Sequence, residues 1–397
     1  MRLPVIAMLI LIVANLLVDT YIYIVLRKRC ESRTPALIQL ISAIALYIYL
    51  VVTVSLPRNS GSDSTLVAVM WLLFGYLTVY TAKYIFVVFD LFSFLPLLFR
   101  RKRSRAVSWI AGFLAVTVFL GMWWGALVNR YRIQVREVDI EIPDLPKAFE
   151  GYRIVQFSDM HTGTYRNDTS FVSKTVDAIN ALDPDLIVFT GDIVNRRTDE
   201  LEPFVTVFSR LEAPDGVYSI LGNHDYGDYS SWATPEDKEE NMRRMYELQE
   251  TMGWNMLNNA HVFLHRDNDS IALIGVENVG DPPFKCYGSL DKAYPTPGDS
   301  IAKILLSHNP AHWLDSIAPA RDIDIDLTLS GHTHAMQIEV LGLSPAAFRY
   351  PAWGGLYGGP GRQLYVNIGM GTVGIPMRLG ATPELTVLTL HSSQTTK

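Results

Sequence analysis

Cysteine is almost missing from this 397-residue chain, which has only Cys30 and Cys286. They fall in different halves, so a disulfide framework is excluded and the redox compartment stays undetermined. Charge is scarce as well, at 19% of residues against 49% hydrophobic. So few charges, with a mean hydropathy above zero, exclude a disordered chain. There is no internal repeat and no low-complexity tract. The length suggests two or three domains.

The overall charge of −6 hides a division. Residues 1–129 hold 12 basic and 4 acidic side chains, net +8, which leaves 22 basic and 36 acidic, net −14, for residues 130–397. The first part reads as a membrane domain and the second as an acidic soluble domain. A domain of net −14 is a poor host for nucleic acid, whose binding is mostly phosphate neutralisation.

Four apolar runs lie in the first part: Pro4–Leu26, Ala36–Leu56, Leu66–Phe99 and Ala106–Val128. Each is long enough for a hydrocarbon core of about 30 Å. The first is too long for a signal peptide and lacks a small-residue cleavage pattern. The third exceeds one upright span, so it tilts, or Leu91–Phe99 with Pro96 lies along the interface. Arg27, Lys28, Arg29 and Arg33 follow the first run, and Arg100, Arg101, Lys102, Arg103 and Arg105 the third. The loop between the second and third has only Arg58 and Asp63. The excess of positive charge predicts that both basic loops are cytoplasmic and the soluble domain extracytoplasmic. Arg130, Arg132 and Arg136 after the fourth run pull the other way. Asp19, Lys83 and Asp90 sit in or near the spans. The expectation is that Lys83 snorkels to the interface near Asp90, seven residues on along one helix face.

In the second part, short β-rich runs alternate with helical ones. Val135, Val138, Ile140 and Ile142 alternate as a first strand. Arg153–Ser158, Leu186–Thr190, Val217–Leu221, Ile271–Val276, Ile304–Ser307, Leu327–Ser330, Leu364–Ile368 and Leu385–Leu390 read as further strands. Phe171–Leu182 and Asn241–Met252 read as helices, and residues 341–361, rich in Gly, Pro and aromatics (Phe348, Tyr350, Trp353, Tyr357), as a long irregular loop, either packed on the domain or touching acyl chains at the interface. This order implies a layered α/β or α+β sheet fold.

Five polar clusters each directly follow an apolar strand: Ser158-Asp159-Met160-His161, Gly191-Asp192-Ile193-Val194-Asn195, Gly222-Asn223-His224-Asp225, Ser307-His308-Asn309 and Ser330-Gly331-His332-Thr333-His334. Strand carboxyl ends are where ligands gather in open α/β sheets. Asp and His supply the oxygen and nitrogen donors of a metal centre without thiolate. The D-x-H and H-x-H pairs place both side chains on one face of an extended segment. The glycines permit sharp turns and close approach. Five of the nine histidines fall in these clusters, which random scatter would not produce.

The ordered pattern D-x-H, G-D-x-x-D, G-N-H-D, H, G-H-x-H over Asp159–His334 resembles the calcineurin-like metallophosphoesterases, and Tyr365–Leu390 extends the likeness to their membrane-anchored branch. The resemblance implies a four-layer α/β/β/α sandwich behind the transmembrane helices and a site for two divalent metals, manganese, iron or zinc. It implies that Asp159, His161 and His334 bind one metal, that Asn223, His308 and His332 bind the other, and that Asp192 bridges them. His224 becomes the general acid, with Asp225 orienting it or supporting the ligands. Asn195 stands where the family has a second acid, so its amide oxygen would support a partner histidine less strongly. Arg166, Arg196 and Arg197 are candidate phosphate contacts. The expected activity is hydrolysis of a phosphoester or pyrophosphate of a small molecule or a lipid at the bilayer. The competing readings are a catalytically weak metal- or phosphate-binding domain that signals through the spans, and a transporter.

Overall fold

The computed structural model describes residues 2–56, 63–282, 285–295 and 301–393. Arg58 of the sparsely charged loop lies outside them. The chain divides into two compact units, residues 1–126 and 127–397.

The first unit is helical: α1 (Arg2–Arg29), α2 (Thr34–Ser55), α3 (Asp63–Leu91) and α4 (Arg105–Leu127). Four helices are long and apolar enough to cross a membrane among the described residues. The long third apolar run does not stay one helix. It breaks at Leu91 into the 3₁₀ segment Phe92–Phe99, where Pro96 removes a backbone donor. The buried charges find their partners on other segments rather than along α3. Lys83 Nζ lies 2.7 Å from Asp19 Oδ1 on α1, which also accepts from Gln39 Nε2 of α2. Asp90 is fully buried, pairs with Arg103 and accepts from Tyr21 Oη at 2.7 Å. The expected neighbourhood of Lys83 and Asp90 fails on distance. Seven helical residues rise about 10 Å, and an amphipathic side chain amid apolar helices takes the nearer opposite charge.

The second unit contains twelve strands among the described residues: β1 (Gln134–Ile142), β2 (Arg153–Phe157), β3 (Leu186–Phe189), β4 (Val217–Ser219), β5 (Trp254–Met256), β6 (Ala260–Arg266), β7 (Asp269–Gly275), β8 (Lys303–Leu306), β9 (Leu327–Ser330), β10 (Gly355–Gly359), β11 (Arg362–Val366) and β12 (Glu384–Ser392). They form two six-stranded sheets, ordered β1-β12-β2-β3-β4-β5 and β10-β11-β9-β8-β7-β6. Alternation along β2 and β3 explains the layers. Ile154, Leu186 and Val188 point between the sheets to meet Leu273, Ile304, Leu306 and Leu329. Val155, Phe157, Ile187 and Phe189 point outward against α5 (Ser170–Asn180) and the helix Pro235–Thr251. Trp313, Ile317 and short helical turns cover the second sheet. The result is the four-layer α/β/β/α sandwich.

The expected strands and helices are present with shifted ends. The helix expected over Asn241–Met252 begins at Pro235, because Thr234 and Asp237 close a capping box ahead of the apolar stripe. The 341–361 stretch is not wholly irregular. Gly355–Gly359 pairs antiparallel with β11 as an edge strand, and its glycines carry no strand signal. Strands β2, β3 and β4 are parallel, as are β7, β8 and β9. All five polar clusters therefore emerge at strand carboxyl ends.

Candidate metal centre

Backbone bonds knit the strand ends into one frame. Asp159 N donates to Gly191 O at 2.9 Å, His161 N to Asp192 O at 3.2 Å and Gly331 N to His308 O at 2.9 Å. Gln156 Nε2 crosses between the sheets to Ser330 O at 2.9 Å. The turns are sharp. Asp159, His161, Asp192, His332 and His334 all have positive φ, between 49° and 74°. That conformation is costly for residues with a Cβ and collects at functional sites. Two glycines make room for the carboxylates. A Cβ at Gly222 would sit 2.2 Å from Asp192 Oδ1, and one at Gly331 would sit 2.5 Å from Asp159 Oδ2.

The structure brings all seven expected donors together. Asp159, His161 and His334 each present one ligand atom within 4.8 Å of the others, and so do Asp192, His308 and His332. In the first group His161 Nε2 lies 3.0 Å from His334 Nε2, and His334 Nε2 lies 3.2 Å from Asp159 Oδ1. In the second, His308 Nε2 is 3.2 Å from both Asp192 Oδ2 and Asn223 Oδ1. Asp192 Oδ2 is also 3.8 Å from His161 Nε2, so one carboxylate faces both groups.

The donor chemistry fits divalent cations. His161 Nδ1 faces Val194 O at 3.1 Å and His308 Nδ1 faces Thr190 O at 2.7 Å. Those carbonyls hold the ring proton on Nδ1 and turn the Nε2 lone pair inward. The His308 lone pair then meets two acceptor oxygens, an arrangement that a positive charge relieves. The electrostatics agree. Burial opposes charge on His308, yet Asp192 and Asp159 push it up to about 9. Burial also opposes charge on Asp159 and Asp192, yet the surrounding histidines hold both carboxyls low. Burial pushes His161 down, with His224 and His334 adding, and takes His332 down to about 3.

His224 stands beside the donors, half-buried, its ring centroid 4.8 Å from that of His161. Its Nδ1 lies 2.7 Å from the main-chain carbonyl of Asn195. The expected weaker support from an asparagine amide is thus corrected. The contact is made by the backbone, while the Asn195 side chain turns to Thr164 Oγ1 at 3.2 Å. Asp225 does not orient His224 either. It accepts from the amides of Asp192, Ile193, Val194 and Gly222 at 2.8 to 3.2 Å and so shapes the Asp192 turn. Burial, with Asp192 adding, pushes Asp225 up to about 7, against the amides of Gly222 and Val194. Of the arginines, Arg196 is buried beside Glu200 and Arg197 pairs with Asp199 at 3.2 Å, while Arg166 is exposed.

Three neighbours escaped the sequence. Tyr229 stacks on His224 at 4.2 Å and accepts from Asn223 Nδ2 at 2.9 Å. Tyr350 Oη lies 3.2 Å from His332 Nε2. Arg378, fully buried, places Nη2 3.2 Å from His334 Nδ1 and donates to the carbonyls of Ile368, Gly371 and Ala381. The first two stand outside any strand-end cluster, and Arg378 has no pattern beyond its place in the C-terminal stretch.

Similarity to known proteins identifies the family. Residues 152–336 match the family model described as Calcineurin-like phosphoesterase, and residues 1–130 match one described as Probable Calcineurin-like phosphoesterase, transmembrane domain. An uncharacterized metallophosphoesterase of Bacillus subtilis is 31% identical over 70% of this chain and 93% of its own length. The transmembrane protein with metallophosphoesterase domain of Danio rerio is 31% identical over 78% of this chain and 72% of its own. The UDP-2,3-diacylglucosamine pyrophosphatase LpxG of Chlamydia muridarum is 31% identical over 55% of this chain and 74% of its own. Strand-end donors, a two-sheet sandwich and a four-helix membrane unit converge on one conclusion: the chain is an integral membrane protein of the calcineurin-like phosphoesterase family.

Proposed function

We propose that this metallophosphoesterase hydrolyses a phosphoester or pyrophosphate carried by a lipid, using two divalent cations on the extracytoplasmic side of the membrane. The observation that carries the reading is Asp192, one carboxylate facing two three-residue donor groups. Asp159, His161 and His334 would hold one cation, and His308, His332 and Asn223 the other. Four imidazoles with oxygen donors suit manganese, iron or zinc. Bound there, such a pair supplies Lewis acidity toward phosphoryl oxygens and an acidified water. The protein's own residues do the rest. Asp225 fixes the turn that presents Asp192. The Asn195 carbonyl and the Tyr229 ring hold the His224 imidazole in place. Its Nε2 then delivers a proton to the departing oxygen.

The lipid substrate is supported by the four spans, which tether the domain to a membrane, and by the relative whose name specifies a diacylated pyrophosphate. The extracytoplasmic side is supported by the two basic loops, whose charge favours the cytoplasm. A nucleotide-linked lipid is the second reading, favoured by that relative, and it requires the opposite side. Purified full-length protein should carry bound metal and hydrolyse at least one of a phosphomonoester, phosphodiester and pyrophosphate panel. Absence of metal-dependent turnover on all three refutes the proposal. Protease digestion of intact cells decides the side.

A further inference from the structure

We infer that the segment Met336–Phe348 is a bilayer-contacting rim, seated in the headgroup interface of the membrane that the chain's own helices cross. Its sequence, MQIEVLGLSPAAF, has Glu339 as its one charged residue. Most of its large apolar side chains face outward. Leu341 and Phe348 are each 97% exposed and Leu343 76%, with Val340 and Met336 also exposed. Most exposed leucines stand singly and mean nothing, whereas a clustered apolar surface marks an interaction site.

The segment is built to hold these side chains out. Val340 and Leu343 exchange backbone bonds at 2.9 and 3.1 Å, so the backbone of the tip is paired. Between them Leu341 and Gly342 have φ of 54° and 76°. Two positive φ angles make the tight hairpin turn that asparagine, aspartate or glycine normally fills. A leucine here is strained as well as exposed, so neither folding nor solubility accounts for it. At the other end, Ser344 Oγ donates to Ala335 O at 2.6 Å and accepts from Ala346 N at 3.0 Å, which braces the turn leading to Phe348.

The position of the rim identifies the occupant. Within the second unit, the residues that continue from α4 are anchored on the segment 376–382. Asn129 Nδ2 donates to Arg378 O at 3.0 Å, Thr382 Oγ1 to Asn129 Oδ1 at 3.2 Å, and Arg130 Nη1 to Pro376 O at 3.4 Å. That same segment carries the rim on its other side. Glu339 N donates to Leu379 O at 2.8 Å, Leu379 N to Gln337 O at 2.9 Å, and Ile338 bridges Leu379 in parallel. The segment 376–382 thus holds both the chain just after the last span and, through Ile338 and Glu339, the base of the apolar hairpin. Asn129 follows the end of α4 by two residues, so chain connectivity ties this segment to the end of the last span. Leucine and phenylalanine are side chains that interfaces accept. The rim also springs from Ala335, next to the donor His334. The contact itself is independent of the proposed activity. Its use, to draw lipid substrate toward the donors, rests on that reading.

The test uses the full-length chain in lipid nanodiscs, with Cys30 and Cys286 replaced by serine. A fluorophore is attached at Leu341→Cys, Phe348→Cys or, as control, Asp267→Cys in the β6–β7 turn. Fluorophores at 341 and 348 should be quenched by nitroxide-labelled lipids and shielded at least fivefold from aqueous iodide relative to 267. Iodide quenching equal to the control at both positions overturns the proposal. In a second arm, Leu341→Asp/Phe348→Asp should retain hydrolysis of soluble bis(p-nitrophenyl) phosphate within twofold. It should lose at least tenfold on a nitrophenyl phosphodiester of diacylglycerol embedded in the nanodisc. Equal rates on both substrates before and after substitution overturn the role in lipid access. A parent chain that cleaves neither diester sinks the hydrolase reading, while the quenching still decides the membrane contact.

Discussion

Alanine at Gly222 is the smallest perturbation that should disable the site without touching a donor. The added Cβ would sit 2.2 Å from Asp192 Oδ1 and 2.6 Å from Asp192 N. Ordinary contact begins near 3.4 Å, so the carboxylate must retreat by about 1.2 Å. Gly222 is not in the left-handed region, so alanine meets no strain in its own φ, and the effect passes through the side chain and amide of Asp192. The same oxygen accepts from His224 N at 2.8 Å, so the displacement also reaches the proposed acid. Overpacking costs about 1–3 kcal/mol, which a domain of this size survives, whereas a misplacement of about 1 Å costs on the order of 100-fold in rate. Gly359→Ala is the control, because nothing lies within 4 Å of its added Cβ. We expect Gly222→Ala to fold, to bind less metal by elemental analysis, and to lose about 100-fold in turnover of bis(p-nitrophenyl) phosphate. A Gly222→Ala protein with full metal content and turnover within twofold of the parent would refute the geometric argument.

Other expectations follow from the same structure. Asp192→Asn preserves shape but removes the charge shared by both donor groups, so bound metal should fall at both positions, checked by elemental analysis. His224→Gln should keep its metal and lose turnover, most steeply for esters with poor leaving groups, since these need the proton; equal loss across leaving groups contradicts the acid role. Burial pushes Asp326 up to about 6, so its carboxylate is disfavoured in the fold. With the folded value above the unfolded 3.8, that penalty is absent below about pH 4, grows through pH 6 and is complete above it. Asp326→Asn should therefore raise Tm at pH 7.5, by about 2–4 °C per kcal/mol regained, with the gain vanishing near pH 4. Lys83→Met or Asp19→Asn alone leaves a charge without its partner amid the helices and should cost roughly 3 kcal/mol. The double variant should recover much of the lost thermal stability in detergent, and a double variant as unstable as either single one contradicts the pairing.

The metal centre was readable because its signal is local. Each donor lies within four residues of a buried strand's end, and parallel pairing carries all five ends to one edge. Apolar runs exposed the strands, since burial on both faces leaves little else in β2, β3, β8 and β9. Features set by contact were not readable. Gly355–Gly359 is a strand only because β11 pairs with it. Asn195 looked like a weakened side-chain partner, because a sequence does not reveal that the main chain makes the contact. Tyr229, Tyr350 and Arg378 reach the site by loop geometry. Lys83 and Asp90 share a helix face, yet each finds its counter-charge on another segment.

Those cross-helix pairs bear on how the anchor can evolve. Lipid tails give one apolar helix little reason to prefer any particular neighbour. Asp19 with Lys83, and Asp90 with Tyr21 and Arg29, act as two differently placed keys that fix the rotation of α1 against α3. Drift at one of these positions is then tolerated only with a matching change at its mate. A greasy hairpin of equal length would still tether the phosphoesterase to a bilayer, but it would not inherit this bundle's fixed arrangement.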